Sequence, residues 1–178
     1  MSDASVYPEP NSSFKNPKRN ILSILVDNEP GILARIVGLF SGRGYNIEAL
    51  NVTVVNVKEN LSKITLETIG EQKVIEQIIS HLEKLVPVHT AINLANLSES
   101  YEAEISLIKV AFINEDQNLK TLALADIYRA RTVTKKENIV IYEISGTSER
   151  LNKFLDDLNG INGIKVEIVR SGPIGLGI

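Results

Sequence analysis

Asn28-Glu29-Pro30-Gly31-Ile32-Leu33 sets an amide side chain, a rigid turn and a glycine directly ahead of an apolar, helix-spaced segment. Residues of these types in this order suit the capture of an anion. The first amides of a helix lack intrahelical acceptors and carry a partial positive charge, so a carboxylate or phosphate docks there without a charged side chain. Gly31 removes a Cβ where a bound group must approach, and Asn28 supplies both a donor and an acceptor beside it. Asn46 offers a second amide, and Ile32, Leu33 and Ile47 an aliphatic lining. A zwitterion with a short apolar side chain matches this set: carboxylate on the helix amides, ammonium on an amide oxygen or carbonyl, side chain on the aliphatics. The same residues also fit a plainer reading, in which Pro30-Gly31 makes a turn and Asn28 caps the helix.

The elements that must hold these residues follow from the apolar spacing. Ile21 to Asp27 reads as a strand, broken by Pro30-Gly31 where a helix can begin. Ile32, Leu33, Ile36, Val37, Leu39 and Phe40 recur at helical spacing until Gly42 and Gly44. Ile47 to Val57 and Leu61 to Ile69 form a hairpin around Lys58-Glu59-Asn60. Gly70 closes it, and Val74, Ile75, Ile78, Ile79, Leu82 and Leu85 mark a second helix that Pro87 ends. Val88 to Leu94 completes a βαββαβ order.

The same grammar then repeats. Glu104 to Ile113 reads as a strand and Asp116 to Arg129 as a helix capped by Asn114 or Asp116. Thr132 to Lys135 and Ile139 to Ser145 flank a second Lys-Glu-Asn turn at 136–138, followed by a helix from Ser148 to Leu158 and a strand from Ile164 to Arg170. The expected fold is α+β, two tandem ferredoxin-like sandwiches: a tail over 1–19, a first domain over 20–97 and a second over 98–178. Each is small for an independent core, so sheet edges or helix faces should associate. The second half ends its first strand in Ile113-Asn114-Glu115-Asp116-Gln117 without glycine, so the receptor is expected in the first half alone.

Composition narrows the class by exclusion. The 178 residues are 43% hydrophobic, enough for a real core, and 19 basic against 22 acidic residues give a formal charge of −3, which does not steer the chain toward nucleic acid. With no cysteine, disulfides and thiolate zinc sites are impossible. No apolar run reaches the ~18 residues of a membrane span. Met1 to Asn20, with Pro8, Pro10 and Pro17, lacks the apolar stretch of a secretory signal and reads as a disordered tail. A cytoplasmic location is expected, a plastid being the alternative for a photosynthetic source.

Other constellations carry less. His81 and His89 are the only histidines, and neither has a carboxylate or second histidine at ligand spacing, so no metal site is expected. Ser41, Ser62 and Ser145 have no evident base partner. Strands of this fold that bind RNA carry aromatics, whereas these are aliphatic. Lys135-Lys136 and Lys15 to Arg19 read as solvated basic patches, and Gly172-Pro173-Ile174-Gly175-Leu176-Gly177-Ile178 as a flexible tail with no helix behind its glycines.

Asn28-Glu29-Pro30-Gly31-Ile32-Leu33-Ala34-Arg35, Gly38-Leu39-Phe40-Ser41 and Arg43-Gly44-Tyr45-Asn46-Ile47-Glu48 resemble the opening of the small regulatory subunits of acetolactate (acetohydroxyacid) synthase. The resemblance extends through Leu61-Ser62-Lys63-Ile64-Thr65, Val74-Ile75-Glu76-Gln77-Ile78, Ile127-Tyr128-Arg129-Ala130 and Ser145-Gly146-Thr147 to Val169-Arg170-Ser171-Gly172. It implies an N-terminal ACT domain that senses amino acids and a C-terminal domain of similar topology, with no catalytic residues on the chain. The implied partner is the catalytic large subunit, an enzyme expected to use thiamine diphosphate, Mg and FAD, which the small subunit activates and renders sensitive to valine or another branched-chain amino acid. In the family the effector lies where two ACT domains meet. This nominates Asn28, Gly31, Ile32 and Leu33 on one copy and Tyr45, Asn46 and Ile47 on the other. Pro30 replaces a small polar residue of some relatives, which stiffens the loop and removes one backbone donor. Two rivals are a free-standing ACT sensor of another pathway and an acylphosphatase-type hydrolase; the second needs an arginine in the anion loop, and 28–33 has none.

Overall fold

The computed structural model describes residues 17–178, which fall into two units: one up to Tyr101 together with Gly175–Ile178, the other Glu102–Ile174. Most of the expected N-terminal tail lies outside the described residues. Lys18 and Arg19, read as tail, instead open the first strand, where the Arg19 Nε donates to Glu67 Oε1 at 2.8 Å.

In the first unit the order is β1 (Lys18–Asp27), α1 (Ile32–Ser41), β2 (Ala49–Asn56), β3 (Leu61–Gly70), α2 (Gln72–Leu82) and β4 (Val88–Asn93), with the antiparallel sheet arranged β2-β3-β1-β4. The period of two along β1 sends Leu22, Ile24 and Val26 to the helix face. There they meet Ile32, Ile36 and Phe40 of α1, spaced four apart, and Ile75, Ile78 and Leu82 of α2. Ile64 and Leu66 of β3 complete the core. The strand expected over Ile47 to Val57 is shorter, because Ile47 and Glu48 still belong to the connection from α1 and Val57 belongs to the hairpin turn.

The second unit repeats the order with β5 (Ser100–Ala111), α3 (Glu115–Ile127), β6 (Arg131–Lys136), β7 (Ile139–Gly146), α4 (Ser148–Asn159) and β8 (Lys165–Arg170), in the sheet order β6-β7-β5-β8. Both halves are therefore the ferredoxin-like sandwiches expected from the repeat. The second core differs in chemistry. Phe154 of α4 lies edge-on to Tyr142 of β7, while α3 buries Gln117, Asn118 and Thr121 beside Ala125. A buried phenol needs a partner, and the Thr121 hydroxyl supplies one at 3.0 Å from the Tyr142 oxygen. Burial pushes the Tyr142 phenol pKa upward.

The C-terminal residues overturn the expectation of a flexible tail. Ile174–Gly177 is a strand, β9, paired with β5, and the Ile178 amide donates to the Glu99 carbonyl at 3.1 Å. The reason is close approach. A Cβ on Gly175 or Gly177 would collide with the Leu94 or Leu97 side chain, so the glycines that made this segment look loose are what let it pack.

Candidate functional site

The connection from β1 to α1 is built by one tight turn. Pro30 fixes the first corner and Gly31 takes φ +88° and ψ −7°, the left-handed corner of a type II turn, closed by the Ile32 amide on the Glu29 carbonyl at 3.4 Å. The first full helical bond is Arg35 N to Gly31 O at 3.0 Å. No side chain caps α1, and the Gly31, Leu33 and Ala34 amides have no acceptor among the described residues. A Cβ at Gly31 would meet nothing within 4 Å, and Gly31, Leu33 and Ala34 are all exposed. Glu29, which sits in the turn, is paired with Arg35 of the first helical turn at 3.2 Å.

Asn28 does not cap the helix, so of the plainer reading the Pro30-Gly31 turn stands and the Asn28 cap does not. It is tied instead to Asn60 in the β2–β3 hairpin turn: the Asn28 amide donates to the Asn60 carbonyl at 2.7 Å, Asn60 Nδ2 to the Asn28 carbonyl at 3.0 Å, and Asn28 Nδ2 to Asn60 Oδ1 at 3.4 Å.

The aliphatic residues divide. Ile32 is 6% exposed and lies in the core, so its side chain is a correction to the expected lining: only its backbone reaches the turn. Its spacing to Ile36 and Phe40 carried that signal in the sequence. Leu33, 37% exposed, stands free for a ligand or a partner. Tyr45 and Ile47 are half-buried against the first core, and Asn46 is exposed with Nδ2 donating to Glu48 Oε1 at 2.8 Å and its carbonyl accepting from the Thr68 hydroxyl at 2.7 Å. Within one chain these residues do not join the receptor loop. The ten residues of α1 separate them, about 15 Å at the helical rise.

The second half shows the closed version of the same junction. Asn114 accepts from the Gln117 amide at 3.0 Å, and Gln117 Oε1 accepts from the Ile113 and Asn114 amides at 2.7 and 3.4 Å, a reciprocal cap over the start of α3. Gln117 Nε2 then donates to the Asn162 carbonyl at 2.8 Å. Of the two caps considered from the sequence, Asn114 is the one used.

Two features were invisible to spacing. His89 Nε2 lies 2.7 Å from Asp27 Oδ1 because β1 and β4 pair in antiparallel register, whereas the sequence keeps the two residues 62 positions apart. Asn60 reaches Asn28 through the β1–β3 pairing in the same way. Among the described residues no group of three or more histidine, aspartate or glutamate side chains is arranged to hold a metal ion, and no helix is long and apolar enough to cross a membrane.

Comparison with known proteins agrees with this architecture half by half. A family model described as an AHAS small subunit-like ACT domain matches residues 22–90, and one described as the small subunit of acetolactate synthase matches residues 103–178. The acetolactate synthase small subunit of Buchnera aphidicola subsp. Baizongia pistaciae is 40% identical over 160 residues, covering 89% of this chain and 98% of that one. The acetolactate synthase isozyme 3 small subunit of Salmonella typhimurium is 38% identical over 161 residues, covering 89% and 94%. The crystal structure of the small subunit from Thermotoga maritima superposes with a TM-score of 0.76 at 29% identity, over 90% of this chain and 98% of that one. An ACT sandwich with an open helix start, followed by a second sandwich that the small-subunit model spans to its last residue, places this chain in the acetolactate synthase small-subunit family.

Proposed function

We propose that this chain is the regulatory subunit of an acetolactate synthase. It binds the catalytic large subunit, raises its activity and makes it sensitive to feedback inhibition by valine or another branched-chain amino acid, while contributing no catalytic group of its own. The chemistry of the reaction then rests with the partner, together with its expected thiamine diphosphate, Mg and FAD. The observation that carries the effector reading is the uncapped start of α1, whose exposed Gly31, Leu33 and Ala34 have amides with no acceptor among the described residues. An amino-acid carboxylate placed there accepts charge-assisted hydrogen bonds at the positive end of the helix dipole. Pro30 has already set the turn, so less order is lost on binding.

Two copies complete the site. The outer edge of β2 has no strand partner among the described residues, and Val52, Val54 and Val55 lie exposed along it. Antiparallel pairing of two β2 edges about a twofold axis runs the two α1 helices side by side in opposite directions. The start of one helix then faces the end of the other, and Tyr45, Asn46 and Ile47 of the second copy close over the ligand held by Asn28, Gly31 and Leu33. That arrangement is the proposed answer to the 15 Å separation within one chain. Effector binding favours one dimer geometry, and the large subunit responds to it.

Reconstitution tests this directly. The large subunit is assayed alone, with this chain, and with this chain plus L-valine, L-leucine or L-isoleucine. Activation by the chain and its reversal by at least one of the three amino acids is the expected result. Failure of the two proteins to co-purify, or activation indifferent to all three, would overturn the proposal.

A further inference from the structure

We infer that Asn60, in the hairpin turn between β2 and β3, is a positioning residue of the effector site that acts through Asn28; this rests on the effector reading above. In the β1–β3 register Asp27 lies opposite Leu61, so Asn28 and Asn60 face each other one step beyond the ladder. The fold needs only one bond there, from the amide of the strand-end residue to the carbonyl of the turn residue. The second half makes that bond too, Phe112 N to Asn138 O at 2.9 Å, and among the described residues adds no side-chain bond between the two. The first half adds two side-chain bonds, at 3.0 and 3.4 Å. They exceed what the hairpin requires.

Their effect is to orient Asn28. With Nδ2 on Asn60 and the backbone carbonyl occupied by Asn60 Nδ2, Asn28 Oδ1 has no donor among the described residues. It is the acceptor left for a ligand ammonium beside the free amides of α1. Asn60 achieves this from φ +53°, a left-handed conformation that asparagine tolerates better than other residues with a Cβ. Because Asn60 ends the hairpin that carries β2, the same clasp joins the receptor loop to the strand edge proposed for dimer pairing. Ligand binding that tightens Asn28 is thereby felt at that edge.

The test is a double-mutant cycle read by calorimetric titration of L-valine, L-leucine and L-isoleucine into the full chain. Asn60→Gly keeps the carbonyl and fits the left-handed turn, removing only the side-chain clasp. It is expected to weaken affinity about 3- to 10-fold, the range set by one or two neutral hydrogen bonds. In an Asn28→Ala background the same change should have no further effect, and Asn138→Gly, its counterpart in the second half, should leave affinity unaltered. Equal affinity of Asn60→Gly and the unmutated chain, or full additivity in the cycle, would overturn the inference while leaving the effector site standing. Absence of binding by the unmutated chain for all three amino acids would overturn the effector site and this inference with it.

Discussion

The two helix starts, α1 at Gly31 and α3 at Asn114, occupy the same place in two copies of one fold and are finished in opposite ways. At α3 a side-chain cap satisfies the exposed amides and Gln117 ties the cap to the carbonyl of Asn162. At α1 a type II turn delivers the chain into the helix with no side-chain cap, and three amides have no acceptor among the described residues. An uncapped start forgoes stability that a capping residue would supply, roughly 0.5–2 kcal/mol. Under the proposed function, the contrast is between a helix start finished by the fold and one left for a ligand.

Three changes would break or sharpen that contrast. Gly31→Asp has the largest expected effect, since it puts a carboxylate where the ligand's own must dock and forces a side chain into the left-handed region. Replacing charge-assisted bonds worth roughly 1.5–3 kcal/mol by repulsion should raise the effector concentration for half-inhibition of the reconstituted enzyme by about 100-fold or more. Unchanged inhibition would mean the open start is not the receptor. Asn114→Ala opens the second start and should cost about 1 kcal/mol, read as a lower unfolding midpoint of the full chain. Calorimetry on the same variant should find no additional effector site, because α3 lacks the left-handed glycine turn; a new site would show that any bare helix start suffices.

The smallest effect belongs to the second sheet, where Arg131 binds Glu143 across β6 and β7 at 2.7 and 3.3 Å. That hydrogen bond holds the Glu143 carboxyl below its ordinary pKa. A carboxylate lowered on folding stabilises above its unfolded pKa and loses that contribution as pH falls through the folded value. The thermal advantage of the unmutated chain over Glu143→Gln should therefore be present at neutral pH and vanish on acidification. An advantage that persists in acid would assign it to packing.

Much of this was legible from residue order. Ile32, Ile36 and Phe40 announced the buried stripe of α1, and Pro30-Gly31 announced the turn, because both signals are local. Ile32 belongs to that stripe by its spacing, which leaves only its backbone to face the turn. The β9 strand was misjudged because glycine reads as freedom until a neighbour such as Leu94 comes close enough to demand it. The buried polar face of α3, with Thr121 on Tyr142, defeats an apolar-spacing reading for the same reason: its partner lies on another element.

By itself the sequence determined the repeat, the strand and helix order and the location of the Pro30-Gly31 turn, since period, proline and glycine act over a few residues. Only the tertiary structure decided that Asn28 answers to Asn60, that Asp27 meets His89, and that α1 holds the two groups of nominated residues a helix length apart. Those facts depend on strand register and helix length in space, and register is fixed by the collective burial of a sheet face rather than by any residue's neighbours in the chain.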